Sequence, residues 1–94
     1  MNEPTVRVED LPEPAVALLR AVLDALSIPL PTRAGEDEDA YTALTQTRVI
    51  DVRATLTGAL NFGQDVNYST WLLRWWTEQH PVTYTPRGEA GGAA

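Results

Sequence analysis

Cysteine is absent from this 94-residue chain, and so is lysine. The first absence excludes disulfide staples, thiolate metal ligands and a cysteine nucleophile together. The second leaves seven arginines against 13 acidic residues, a net charge of −6. That is the wrong sign for gripping a phosphate backbone, where affinity comes from counterions displaced by clustered basic side chains. A single histidine, His80, is too little for a histidine-based metal site or acid–base pair. No stretch approaches the roughly 18 consecutive apolar residues of a membrane span, and residues 1–10 show no basic segment followed by an apolar run. The sequence therefore predicts a soluble, cytoplasmic protein. The spacings that carry catalysis are missing too: there is no HExxH, GxSxG or paired-cysteine motif, and Gly35 and Gly63 stand in no phosphate-loop pattern. The expectation is a chain with no catalytic residue, no metal ligand and no cofactor.

What is present is apolar periodicity at helical spacing. Pro12 and Pro14 flank Glu13 at the start of the first such stretch, and proline is tolerated in a first helical turn, where the amide donors lack intrahelical partners. A helix is predicted over 13–27, with Ala15, Leu18, Leu19, Val22, Leu23 and Leu26 as its buried stripe and Arg20 and Asp24 on the other side. Ile28-Pro29-Leu30-Pro31 ends it, because the residue before a proline is pushed out of helical geometry.

The acidic run Glu36-Asp37-Glu38-Asp39 follows Gly35 and precedes a longer pattern over 37–61. Negative charge at a helix N-terminus is favoured by the helix dipole, about 0.3–1 kcal/mol for each group, so the run reads as a helix start before it reads as a ligand site. Tyr41, Leu44, Val49, Val52, Leu56, Ala59 and Leu60 form the expected buried stripe, and Gly63 is placed to end the helix. Arg48, Asp51 and Arg53 read as a solvated face. Thr45, Thr47, Thr55 and Thr57 lower intrinsic helix propensity, and the pattern leaves open whether the helix is continuous through them.

Asp65 or Asn67 can cap a third helix over 66–79, stopped by Pro81. It carries every tryptophan of the chain, Trp71, Trp75 and Trp76, within six residues. At about 100° per residue, Tyr68, Trp71, Leu72 and Trp75 fall in one sector and Leu73, Trp76 and His80 in the next. The first sector is the expected core. The second is wider than a three-helix arrangement needs and is the candidate for a partner or for the alternating tail Val82-Thr83-Tyr84-Thr85-Pro86. The fold class predicted is all-α, a small three-helix bundle with extended N- and C-terminal arms, in a single domain over 1–86. Residues 87–94 are expected to be disordered.

The phrases Val8-Glu9-Asp10-Leu11-Pro12, Ala17-Leu18-Leu19-Arg20 and Arg74-Trp75-Trp76-Thr77-Glu78-Gln79-His80-Pro81-Val82-Thr83-Tyr84-Thr85-Pro86 resemble a group of uncharacterised short acidic helical proteins of high-GC actinobacteria and their phages or mobile elements. The arginine-only, alanine-rich usage suits a GC-rich genome. The resemblance implies an origin and brings no assigned activity and no site residues.

Four function classes are compatible with a small acidic helical chain to different degrees. An enzyme lacks its motifs. A helix-turn-helix regulator using Arg48, Arg53 and Arg74 lacks lysine and would present indoles where base-reading groups are wanted. An acidic inhibitor could occupy a nucleic-acid-binding groove as a charge mimic, although its carboxylates form no long row. The reading preferred is a non-enzymatic protein–protein interaction module, an adaptor or accessory protein. It would contact a protein partner, or itself as a homodimer, through Leu73, Arg74, Trp76, Val82 and Tyr84, because tryptophan and arginine dominate interface hot spots. Membrane insertion and direct nucleic-acid binding are not expected.

Overall fold

A computed structural model of the chain describes residues 4–32 and 35–87. Three helices make it up: α1 (Glu13–Leu26), α2 (Glu36–Asn61) and α3 (Val66–Gln79). The all-α class and the three-helix arrangement expected from periodicity are what is found. Residues 88–94, most of the tail expected to be disordered, lie outside the described residues.

The helix ends follow from local chemistry. Pro12 stands before α1 with Pro14 in its first turn, and the Pro12 carbonyl accepts from the Ala15 and Val16 amides at 3.0 and 3.2 Å. Gly35 adopts φ +78° ahead of α2, and its amide donates to Glu38 Oε1 at 3.1 Å, so a carboxylate of the acidic run satisfies an orphan donor at the helix start. α2 is continuous through Thr45, Thr47, Thr55 and Thr57. At Thr45 the hydroxyl donates back to the Tyr41 carbonyl at 2.8 Å, which keeps the polar group satisfied inside the helix. Gly63 turns the chain at φ +68°, while the Phe62 and Gln64 amides both donate to the Gly58 carbonyl. Asp65 is the residue that caps α3, its Oδ2 accepting from the Tyr68 amide at 2.9 Å.

The short turn folds α3 back along α2. Gln64 lies beside Gly58, and at the other end the His80 carbonyl reaches Arg48. α1 packs mainly on α3, less extensively on α2. The core at the junction is small: Ala21, Ala25, Val52 and Leu73, with Val22, Leu56 and Trp76 packed against it.

This core corrects several expectations. On α1 the buried edge is the alanine line Ala21–Ala25, and Leu19, Leu23 and Leu26 of the expected stripe face outward. Small side chains let the helix backbones approach closely, so the alanine edge is chosen over the leucine edge at the α1–α3 contact. On α2 the stripe is correct at Leu44 and Val52, but Val49 and Leu60 are exposed. On α3 the two sectors exchange roles: Leu73 is 0% exposed, whereas Trp71 and Trp75, expected in the core, are 58% and 46% exposed. Leu73 and Ser69 enter the junction, and of the three indoles it is Trp76 that packs against it.

The arms also differ in detail. The N-terminal arm contains a 3-10 turn at Val8–Asp10, closed by the Arg7 amide on Asp10 Oδ2 at 2.9 Å, with Val6 and Val8 both exposed. The C-terminal tail turns toward the connector after α1, away from the N-terminal valines. Pro31 and Pro86 form an antiparallel bridge, the Arg87 amide donates to the Leu30 carbonyl at 2.8 Å, and the Thr32 amide to the Thr85 carbonyl at 3.2 Å.

Candidate interaction surface

The outer side of α3 carries Tyr68, Trp71 and Trp75, spaced three and four apart and therefore neighbours along the helix. Each is about half exposed. The Tyr68 and Trp71 rings stack with centroids 5.9 Å apart and 27° between planes. This strip lies opposite the Leu73–Ser69 edge that enters the core, and no other described element covers it to the degree expected of tryptophan, whose large apolar surface is normally mostly buried.

Of the five contact residues inferred from sequence, the fold makes one freely accessible. Leu73 is fully buried and Trp76 is packed on the core from the same edge of α3. Tyr84 is 8% exposed; its hydroxyl donates to the Pro29 carbonyl and its ring meets Tyr41 edge-on at 6.3 Å. Val82 is half-buried in the same tail. Arg74 alone is exposed, and it forms an ion pair with Asp24 of α1 at 3.0 Å. The aromatic arc of α3 spans two sectors as its periodicity predicts, but the Leu73–Trp76 sector faces inward and the Trp71–Trp75 sector outward, since periodicity cannot tell which edge of a broad arc a neighbour will take.

A second site had no clear sequence signal. Arg48, read as a solvated residue, is 5% exposed. Its two terminal nitrogens donate to the Ala25 carbonyl and the His80 carbonyl, both at 2.8 Å. One guanidinium thus ties the C-terminal ends of α1 and α3 to the middle of α2, placing a cation where two helix dipoles end in partial negative charge. Asp51 lies one turn further on, half-buried, with Oδ2 3.8 Å from His80 Nδ1. Burial pushes the Asp51 carboxyl above its usual range, against the opposing pull of His80 and then Arg48. His80 Nδ1 is closer to the Trp76 carbonyl, at 3.1 Å, and a carbonyl can only accept, so that nitrogen carries the proton. Thr55, 2% exposed, completes the polar side of α2. These groups are packed into a helix junction where the Arg48 terminal nitrogens and His80 Nδ1 meet backbone carbonyls, while Arg48 Nε, Asp51 Oδ2 and Thr55 Oγ1 are buried without a hydrogen-bond partner, and Arg48 acts as a structural clasp.

The C-terminal half of α2 is the third notable surface. Two shallow grooves flank the Arg53–Thr57 ridge. One, of about 360 Å³, is lined by Leu26 of α1 with Val49, Leu56 and Leu60; the other by Ile50, Ala54 and Phe62. Apolar side chains therefore line both flanks of the polar Arg53–Thr57 ridge. No described helix is long and apolar enough to cross a membrane.

No protein-family model, curated protein or solved structure matches the chain.

Proposed function

We propose that this protein is a non-catalytic helical interaction module that docks a protein partner through the outer strip of α3, Tyr68, Trp71 and Trp75, with Arg74 at its edge. The observation that carries this reading is the outward placement of two tryptophans while alanines and a serine fill the junction behind them. Trp, Tyr and Arg supply most hot-spot energy in protein interfaces, through large rigid area at small entropic cost. The contact set moves from that drawn from sequence by half a turn of α3; the class of function is the same.

The charge-mimic alternative gains less support. Between Ala40 and Gln64 the one acidic residue is Asp51, and it is turned into the clasp, so beyond the four carboxylates of its first turn the long helix offers no row of carboxylates to stand in for phosphates.

The test is capture from lysate of the cognate cells by the wild type and by Trp71→Ala/Trp75→Ala, at low and high salt. Both positions are exposed, so the double variant should keep the wild-type circular dichroism and melting temperature. Loss of a specific captured protein with the variant, unchanged in 0.5 M salt, supports apolar docking, because exposed charges are screened at that ionic strength and apolar contacts are not. Retention of every captured species by the variant, or release of them all by salt alone, would sink the reading.

A further inference from the structure

We infer that the protein segment taken by the α3 strip carries an arginine, whose guanidinium stacks on the Trp75 indole and forks to the Glu78 carboxylate. The inference rests on the docking reading above and adds the chemistry of the occupant. Trp75 and Glu78 are three apart on α3 and so are neighbours on one face, with Trp71 one turn further back along the same line. All three are exposed. An aromatic ring face carries partial negative charge and attracts a cation within about 6 Å of its centroid, indole most strongly. Glu78 sets a full negative charge beside that face.

Charge selects the occupant. Arg74 is the one basic residue of α3, and although Glu78 is four residues on, its guanidinium is turned to Asp24 of α1 at 3.0 Å. No basic side chain stands in the last turn of α3. The ion pairs among the described residues are Arg74–Asp24 and His80–Asp51, so among them no cation of the chain meets Glu78. Other carboxylates at the helix ends have a local role: Asp65 caps α3 through the Tyr68 amide, and Glu38 takes the Gly35 amide. Glu78 has the reverse placement, in a last turn where the negative end of the helix dipole disfavours a carboxylate. A cation brought by the partner relieves that repulsion. Arginine suits the place better than lysine, because a planar guanidinium lies flat on a ring while its fork of donors reaches a carboxylate. The stacked Tyr68–Trp71 pair then offers an apolar floor to the rest of the segment. From Trp75 back to Tyr68 is about 10 Å along the axis, so an apolar side chain stands about three residues from the arginine in an extended segment and about seven in a helical one. A stacked, partly desolvated pair is screened little by salt, in keeping with salt-resistant docking. The net charge of −6 draws a basic segment toward the chain and repels an acidic one.

The experiment is titration of the full chain with short capped peptides that hold a leucine and one arginine at each of the two spacings, and with copies carrying lysine or citrulline in place of arginine. Binding is read by calorimetry and by the indole N–H signals of the three tryptophans. The arginine peptide of one spacing should bind and move the Trp71 and Trp75 signals, leaving that of Trp76, which packs on the core. Citrulline keeps the shape without the charge and should bind about tenfold more weakly, with lysine between the two. Glu78→Gln, at an exposed position, should keep the wild-type helix content and lower affinity for the arginine peptide about tenfold while leaving that for the citrulline peptide unchanged. Equal affinity for the three peptides, no binding of either arginine peptide at about 1 mM, or an arginine affinity untouched by Glu78→Gln overturns the inference. Docking itself is read separately, by capture from lysate. A captured protein lost with Trp71→Ala/Trp75→Ala but held in full by Glu78→Gln leaves the α3 reading standing and ends the arginine inference, whereas retention by the tryptophan variant ends both.

Discussion

Arg48 shows how one residue can carry more of a fold than its sequence context suggests. Its planar guanidinium presents several donors in a fixed fork, which is what two carbonyls from two different helix ends require. A lysine offers one compact charge and cannot hold both in the same geometry. Arg48→Lys is therefore expected to lower unfolding free energy by about 2–3 kcal/mol, the cost of leaving a buried carbonyl unpaired and a buried charge poorly satisfied, measurable by urea denaturation. Asp51 makes the opposite prediction. Its folded-state pKa is raised, with burial as the leading cause, so the folded chain holds that proton more tightly than the unfolded chain does. The associated stability is fully present below the unfolded value, near pH 3.9, and is lost as pH rises through the folded value. Asp51→Asn cannot ionise, so it should match or exceed the wild type in stability at pH 7, with an advantage that shrinks as pH falls below the carboxylate range. A neutral-pH melting temperature clearly below the wild type would show that pairing with His80 and Arg48 outweighs desolvation. Neither role was legible in advance. Arg48 and Asp51 sit three apart on a long helix, the spacing of any solvated pair, and their burial depends on α1 and α3 ending at the same place.

At the scale of elements, the boundaries were largely readable because the signals that start and stop helices are local. Prolines at the start of α1, the acidic run in the first turn of α2 and Asp65 before α3 each act through backbone groups within one turn. Asp65→Ala should cost about 1 kcal/mol through loss of the bond to the Tyr68 amide. Gly63→Ala should cost about 1–2 kcal/mol, since φ +68° brings a Cβ toward the adjoining carbonyl oxygen even though the space around Gly63 is open. The two losses are expected to show as lower denaturation midpoints with unchanged m-values; a changed m-value would mean that the α2–α3 turn has rearranged. The faces of these same elements were not readable. On α1 the apolar arc includes both a leucine edge and an alanine edge. Transfer energies favour burying leucines, but close approach of two helix backbones favours alanines, and that choice needs the partner helix.

At the scale of the molecule, the tail closes the structure by a device that sequence only hinted at. The alternation of Val82, Tyr84 and Pro86 suggested an inward-facing extended segment, and Tyr84 is indeed buried, yet its target is the proline-rich connector and Tyr41 rather than α3. Burial raises the Tyr84 phenol above its ordinary value, with Tyr41 adding to the shift and Arg48 opposing it. The stability linked to that proton is present below about pH 10, the unfolded value, and lost as pH rises through the folded one. Tyr84→Phe should therefore be less stable than the wild type at pH 7, by about 0.5–1.5 kcal/mol for the lost hydrogen bond, and should show a shallower decline above pH 10, followed by thermal melts across that range. The sequence by itself determined the helical class, the number of helices, their ends and the excess of apolar surface, because periodicity, caps and breakers act over one or two turns. Only the tertiary structure decided which edge of each apolar arc is inside. That depends on the close α1–α3 approach at Ala21 and Ala25 and on the buried Arg48 clasp, and it leaves Trp71, Trp75, Leu60 and Phe62 facing outward.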